Sequence, residues 1–284
     1  MTPFVHEIAD RSIRRFRLIL KSLYFLILLL YPFASLTFAQ YTYTLDNTTR
    51  FDKLGINQGL STDLSRNIHQ DKYGFIWIGT QRGLNLYDGY QVKSFMADPN
   101  DSTAIINDYI NTIYEDEDGT MWFGTRKGIS RFNRANQTFS NYDLDSAGVK
   151  HHQANVYQMV SDGDHLWIAN YSGIYRFNNR METFTYFGKD TINPEKGIKG
   201  AGSTYLFIDK SGTLWINSWQ SGGPDILNRF NKESNTFTHF EHDPANPESF
   251  AGIRIRSIIE DRLGTLWMAA RGGGLIEMTD KEAG

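Results

Sequence analysis

Short apolar runs alternate with polar, glycine-rich breaks along most of this chain, and one run keeps returning. It first reads GFIWIGTQRGLNLYDG at Gly74–Gly89, then GTMWFGTRKGISRFN at Gly119–Asn133 and DHLWIANYSGIYRFN at Asp164–Asn178. Two further versions follow, GTLWINSWQSGGPDILNRFN at Gly212–Asn231 and GTLWMAARGGGLIEM at Gly264–Met278. Trp77, Trp122, Trp167, Trp215 and Trp267 share one position in it, at separations of 45, 45, 48 and 52 residues. A strand-rich period near 45 is the sign of a four-stranded propeller blade. The pattern predicts an all-β fold, a β-propeller of four-stranded blades with five repeats present.

Each repeat divides into four strands. A half-apolar innermost strand (Ile110–Glu115 is one) leads into a turn with Asp and, three residues on, Gly: Asp71 and Gly74, Asp116 and Gly119, Asp209 and Gly212, Asp261 and Gly264. Asp accepts backbone hydrogen bonds in such turns and Gly supplies a positive φ. The third repeat departs, with Ser161 and Asp164 in those places. The second strand carries the Trp in a continuous apolar run, which requires burial on both faces. Two residues after the Trp stand Gly79, Gly124, Ala169, Asn217 and Ala269. Four are small, as a closely approaching neighbour blade requires, and Asn217 needs a hydrogen-bond partner. A third strand ending in an aromatic and an outer strand such as Thr138-Phe139 complete the unit.

The blades are expected at about 64–95, 109–142, 155–187, 203–240 and 254–278, with 41–54 as a closing outer strand. Five blades close as a ring or form the first part of a larger propeller, and the halt of the fifth repeat after its third strand favours the second reading.

Ahead of the repeats, Arg11, Arg14, Arg15, Arg17 and Lys21 precede the apolar run Leu23–Leu30, then Pro32 and Thr37-Phe38-Ala39. That is the layout of a secretory signal peptide covering 1–39, with an uncleaved signal anchor as the alternative. Either puts the repeats outside the cytoplasm, in the periplasm, with any membrane contact through this segment alone. There are no cysteines, so disulfides and thiolate chemistry are excluded. The net charge is −3, and with the basic leader set aside the remainder stands at −6, which argues against nucleic acid as a partner.

Gly59-Leu60-Ser61 ahead of Ile68, Asp71, Gly74, Trp77-Ile78-Gly79-Thr80, Gly83-Leu84 and Tyr87-Asp88 resembles the two-component regulator propeller repeat. The resemblance covers nearly all of Phe51–Met278. It implies the periplasmic sensor region of a hybrid two-component histidine kinase, an oligosaccharide ligand and pairing of two sensor regions as a homodimer. Members of that family usually continue into a kinase and a DNA-binding module. This sequence holds no phospho-acceptor histidine box and no ATP lid, so the chain alone cannot signal.

In a propeller the turns between second and third strands open at the channel mouth, where ligands usually sit. Those turns carry Arg82, Arg126, Lys127, Tyr171, Trp219 and Arg271. Aromatic faces stack on sugar rings and guanidinium forks hold carboxylate or sulfate. The bland alternative is a set of solvated polar turns. Trp219 is the one Trp outside the repeat position, in an enlarged turn. His151-His152 make a poor chelate, and Glu115–Asp118 reads as a solvated turn rather than a calcium loop. No metal and no cofactor are expected. The sequence has no Gly-x-Ser-x-Gly elbow, no His-Glu-x-x-His and no marked carboxylate pair, so an enzyme is not expected. Three readings stand: an oligosaccharide-sensing propeller, a protein-interaction or structural propeller, and a propeller glycosidase or lyase.

Overall fold

The computed structural model describes residues 50–145, 154–250, 252–278 and 280–281. The expected signal segment, most of the expected closing strand and His151-His152 lie outside the described residues. Within the compact unit Lys53–Gly284, five antiparallel sheets follow one another along the chain. The first holds β1 (Ser65–Gln70), β2 (Ile76–Thr80), β3 (Leu84–Tyr87) and β4 (Val92–Phe95). The second holds β5 (Ile110–Glu115), β6 (Met121–Thr125), β7 (Gly128–Asn133) and β8 (Thr138–Asp143). In the third stand β9 (Val156–Ser161), β10 (His165–Asn170), β11 (Gly173–Asn178) and β12 (Thr183–Phe187). The fourth is β13 (Gly202–Ile208), β14 (Leu214–Trp219), β15 (Ile226–Asn231) and β16 (Thr236–Phe240). The fifth has three strands, β17 (Ile253–Glu260), β18 (Leu266–Gly272) and β19 (Gly274–Met278). In every sheet neighbouring strands are consecutive in the chain, so each is a meander. The chain is a β-propeller array of the kind its repeat predicts.

The cores lie between blades rather than within them. Trp77 of the first blade packs its ring 5.0 Å from Phe123 and 4.9 Å from Phe132 of the second. Trp122 meets Phe177 of the third blade, and Trp167 meets Phe230 of the fourth. The second strands of the second, third and fourth blades are covered on both faces, which is why they read as unbroken apolar runs, whereas that of the fifth leaves Trp267 half-buried and Ala269 exposed. A Cβ on Gly79 would stand 2.8 Å from Ile110, and one on Gly124 would stand 2.5 Å from Val156. Both neighbours begin the innermost strand of the next blade, so the small residues after Trp mark that close approach.

The innermost strands pack in succession, β1 on β5, β5 on β9, β9 on β13 and β13 on β17, and among the described residues no comparable packing joins β17 to β1. Of the two closures open to the sequence, the described blades form an open arc. Its end sheets each leave apolar side chains uncovered: Ile68 is 74% exposed on the first, Leu275 66% on the last.

The Asp of each turn between first and second strands does more than shape the turn. Trp77 Nε1 donates to Asp71 Oδ2 at 2.8 Å, and the same bond joins Trp122 to Asp116, Trp215 to Asp209 and Trp267 to Asp261. The third blade keeps it through Asp162, which accepts from Trp167 Nε1 at 3.1 Å. This corrects the expected Ser161 and Asp164: the turn is one residue shorter, closed by the Asp162 amide on the His165 carbonyl. The next blade then adds a cation. Arg134 bonds Asp71 at 2.8 Å, Lys232 lies 3.5 Å from Asp162, and Lys281 bonds Asp209 at 2.9 Å. Burial pushes the Asp209 carboxyl up, but bonds from Ser211, Trp215 and Lys281 outweigh it and bring it down to about 2. Nor are Glu115 and Asp116 simply solvated: Glu115 bonds His69 of the first blade at 2.8 Å, and Asp116 holds Trp122.

Candidate functional site

The opposite end of the blades is the mouth. There each innermost strand begins beside the end of its second strand: Ser65 pairs with Thr80, Ile110 with Thr125, Val156 with Asn170, Gly202 with Trp219 and Ile253 with Gly272. In every blade the register then slips by one residue. The unpaired residues are Arg66, Asn111, Tyr157, Thr204 and Arg256. A β-bulge leaves one residue outside the ladder and re-aims its side chain, so the repeat presents one such position per blade near the mouth.

Between the third, fourth and fifth blades the mouth opens into a cavity of about 850 Å³, within the range of ligand pockets. Tyr157, Tyr171 and Trp219 supply its aromatic wall, and Asp225, Arg254 and Arg256 its charged one. The rings of Tyr171 and Trp219 lie 4.9 Å apart, tilted by 45°. Burial and the neighbouring Tyr171 push the Tyr157 phenol up, against the pull of Arg126. The indole Nε1 of Trp219 is buried and has no hydrogen-bond partner among the described residues.

The wall exists because the fourth repeat is enlarged. Residues 220–225 reach across to the fifth blade: the Asp225 amide donates to the Gly252 carbonyl at 2.7 Å, and Asp225 Oδ2 accepts from the Ile255 amide at 3.0 Å. Asn217 Nδ2 bonds the same oxygen at 2.9 Å. That is the partner Asn217 requires at a position where the other blades carry Gly or Ala. Beside this staple Arg254 has φ +53, a left-handed conformation uncommon for a residue with a Cβ. Gln220 Nε2 closes the loop on the Pro224 carbonyl at 2.8 Å.

Of the six residues singled out in the turns, Tyr171 and Trp219 meet in the cavity wall. Arg126 stands on the same rim, its guanidinium stacked 3.5 Å over the Tyr109 ring, and Arg66 donates to the Tyr109 hydroxyl at 2.8 Å. Lys127 faces its own outer strand, 3.5 Å from Asp143. Arg82 and Arg271 are exposed and do not line the cavity. Tyr157, Asp225, Arg254 and Arg256 carry no mark in the turn pattern. Two of them are bulge or bulge-flanking residues whose register a sequence does not display, and only the extra length of 219–225 signals that something is built there.

Comparison with known proteins fits this geometry. Residues 59–82 and 104–127 match the sequence model described as the two component regulator propeller. A histidine kinase P4 of Formosa agariphila is 47% identical over 47 residues, 16% of this chain and 3% of that protein. The extracellular domain of a putative hybrid two component system of B. thetaiotaomicron superposes with TM-score 0.64 at 26% identity, over 81% of this chain and 30% of that one. The fold is shared with PorZ, a surface component of the type-IX secretion system of Porphyromonas gingivalis, at TM-score 0.52 and 16% identity, over 76% of this chain and 32% of PorZ. The chain thus spans under a third of the length of these relatives. It is a β-propeller whose first two repeats each hold a segment matching the two component regulator propeller model, and its fold is like that of the extracellular domain of that hybrid system.

Proposed function

We propose that this chain is the ligand-recognising part of a two-component sensor, exported to the periplasm, and that its mouth cavity binds an oligosaccharide without altering it. The observation that carries the reading is the Tyr171–Trp219 pair at the cavity wall beside Tyr157. Puckered sugar rings offer C–H faces that stack on such aromatics, while arginines and tyrosines at the rim take up hydroxyls. The likeness to an extracellular sensor domain and the repeat match support the placement in signalling.

The test is calorimetry of the full chain against a panel of plant, algal and host oligosaccharides, with chromatography of the recovered sugar. Saturable binding, lost in Trp219→Ala, with the sugar recovered intact, is the expected result. A cleaved sugar would make the protein an enzyme. A second reading, a protein-interaction module, is favoured by the uncovered apolar faces at the two ends of the arc. It predicts that no oligosaccharide binds and that Ile68→Lys or Leu275→Lys abolishes association with a protein partner.

A further inference from the structure

We infer that the cavity selects an acidic oligosaccharide, its rings against Tyr171 and Trp219 and its carboxylate or sulfate on Arg254 and Arg256. This rests on the reading of the cavity as the ligand site and adds the charge of the ligand to it.

Several arginines elsewhere in the fold have partners, while exposed ones such as Arg82 and Arg271 stand away from the cavity. Arg131 bonds Glu182, Arg134 bonds Asp71, Arg176 bonds Asn235 and Arg180 bonds Asp164. Arg254 and Arg256 differ: both are exposed on the cavity wall, and among the described residues neither has an acid or amide in hydrogen-bond reach. Their placement is built rather than incidental. Arg256 is the bulged residue of β17, and Arg254 sits at φ +53 between the two bonds by which Asp225 holds Gly252 and Ile255. Strain of this kind persists where the surroundings over-determine it, and it clusters at ligand clamps. The one carboxylate on the wall, Asp225, is buried, and its Oδ2 already accepts from Asn217 and the Ile255 amide. Two guanidiniums against one engaged carboxylate leave this patch positive in a chain of net charge −3. An anion uses those forks in two-point geometry, which a neutral sugar does not. The 45° tilt of the Tyr171 and Trp219 rings offers inclined faces for puckered rings rather than a parallel slot for a flat base.

The experiment is calorimetry of the full chain at two salt concentrations with matched probes. One pair is trigalacturonate and its carboxyl-reduced trisaccharide, the other a chondroitin sulfate tetrasaccharide and its desulfated form. The acidic member of a pair should bind about tenfold or more tightly than its reduced-charge partner, and weaken with salt. Loss of affinity on carboxyl reduction identifies carboxylate as the anion, and loss on desulfation identifies sulfate. Arg256→Gln should cost about tenfold for the acidic probe and leave a neutral one unchanged. Arg254→Gly, which relaxes the backbone, should do the same with the thermal midpoint retained. Equal binding of charged and neutral probes, insensitive to both arginine variants, overturns the inference and leaves the oligosaccharide reading standing. Binding of no oligosaccharide, acidic or neutral, overturns both.

Discussion

The two ends of each blade solve different problems. At the turn end all five blades repeat one arrangement, a Trp indole donating to an Asp carboxylate. At the mouth the bulged residues vary, Arg66, Asn111, Tyr157, Thr204 and Arg256, and the fourth blade adds an enlarged turn stapled to the fifth. Repetition follows from packing, because each blade must offer its neighbour the same Trp to be covered. Variation is free where side chains face an open channel, and the proposed ligand site lies there.

Trp substitution breaks or sharpens that contrast most directly. Trp167 is fully buried, with Phe230 4.8 Å away and Asp162 on its indole, so Trp167→Ala should cost about 3–5 kcal/mol. Trp219→Ala at the mouth should cost about 1 kcal/mol or less while abolishing ligand binding. Urea unfolding of both variants measures this, and equal losses would erase the distinction between the two ends.

Asp225 tests whether the mouth also carries structure of its own. Replacing it with Ala strands Asn217 Nδ2 and the Ile255 amide in a buried place, at about 1–3 kcal/mol. Hydrogen exchange should localise the loss to 219–225 and the start of β17. A global loss would instead make the enlarged turn part of the core.

The turn end should also respond to acid. The folded Asp209 carboxyl, at about 2, lies below its ordinary 3.8. Its contribution is therefore complete above pH 4 and disappears as pH falls toward 2. That contribution is about 1–2 kcal/mol once solvent screening of Lys281 is allowed for. Asp209→Asn should flatten the acid limb of a stability-against-pH curve. An unchanged limb would mean that the bonds to Lys281 and Trp215 contribute nothing.

What the sequence displays follows the same division. The five Trp positions and the apolar runs around them reveal the blades because burial on two faces leaves no room for other residue types. Asp162 was hidden by a turn one residue shorter, which moves the carboxylate off the expected spacing while preserving its bond. Tyr157 and Arg256 were hidden by β-bulges, since one unpaired residue resembles any polar interruption of an alternating strand. Tyr171 and Trp219 were visible as large aromatics beside the turn, although the structure places Trp219 as the last residue of β14 rather than in the turn expected for it.

The turn end itself lapses once, and the lapse defines the smallest effect. Arg134 and Lys232 directly follow the third strands of their blades, and each reaches the Asp of the preceding blade. In the third blade that position is Asn179, whose Oδ1 is buried without a partner. The Asp it should serve is Asp116. Burial and proton sharing with Asp118 push the Asp116 carboxyl above its ordinary value, and the bond to Asp116 pulls Asp118 below its own. A raised carboxyl costs stability while ionised, so this seam should gain as pH falls through that value, opposite in sign to Asp209. Asn179→Lys would remove the orphaned acceptor and set an ammonium where Lys232 shows that one reaches. It should raise stability by about 0.5–1 kcal/mol at pH 7 and by much less at pH 3, where Asp116 is protonated. Thermal midpoints at the two pH values decide it. A gain equal at both would mean the lysine acts by packing alone, and that the missing cation is not what leaves Asp116 raised.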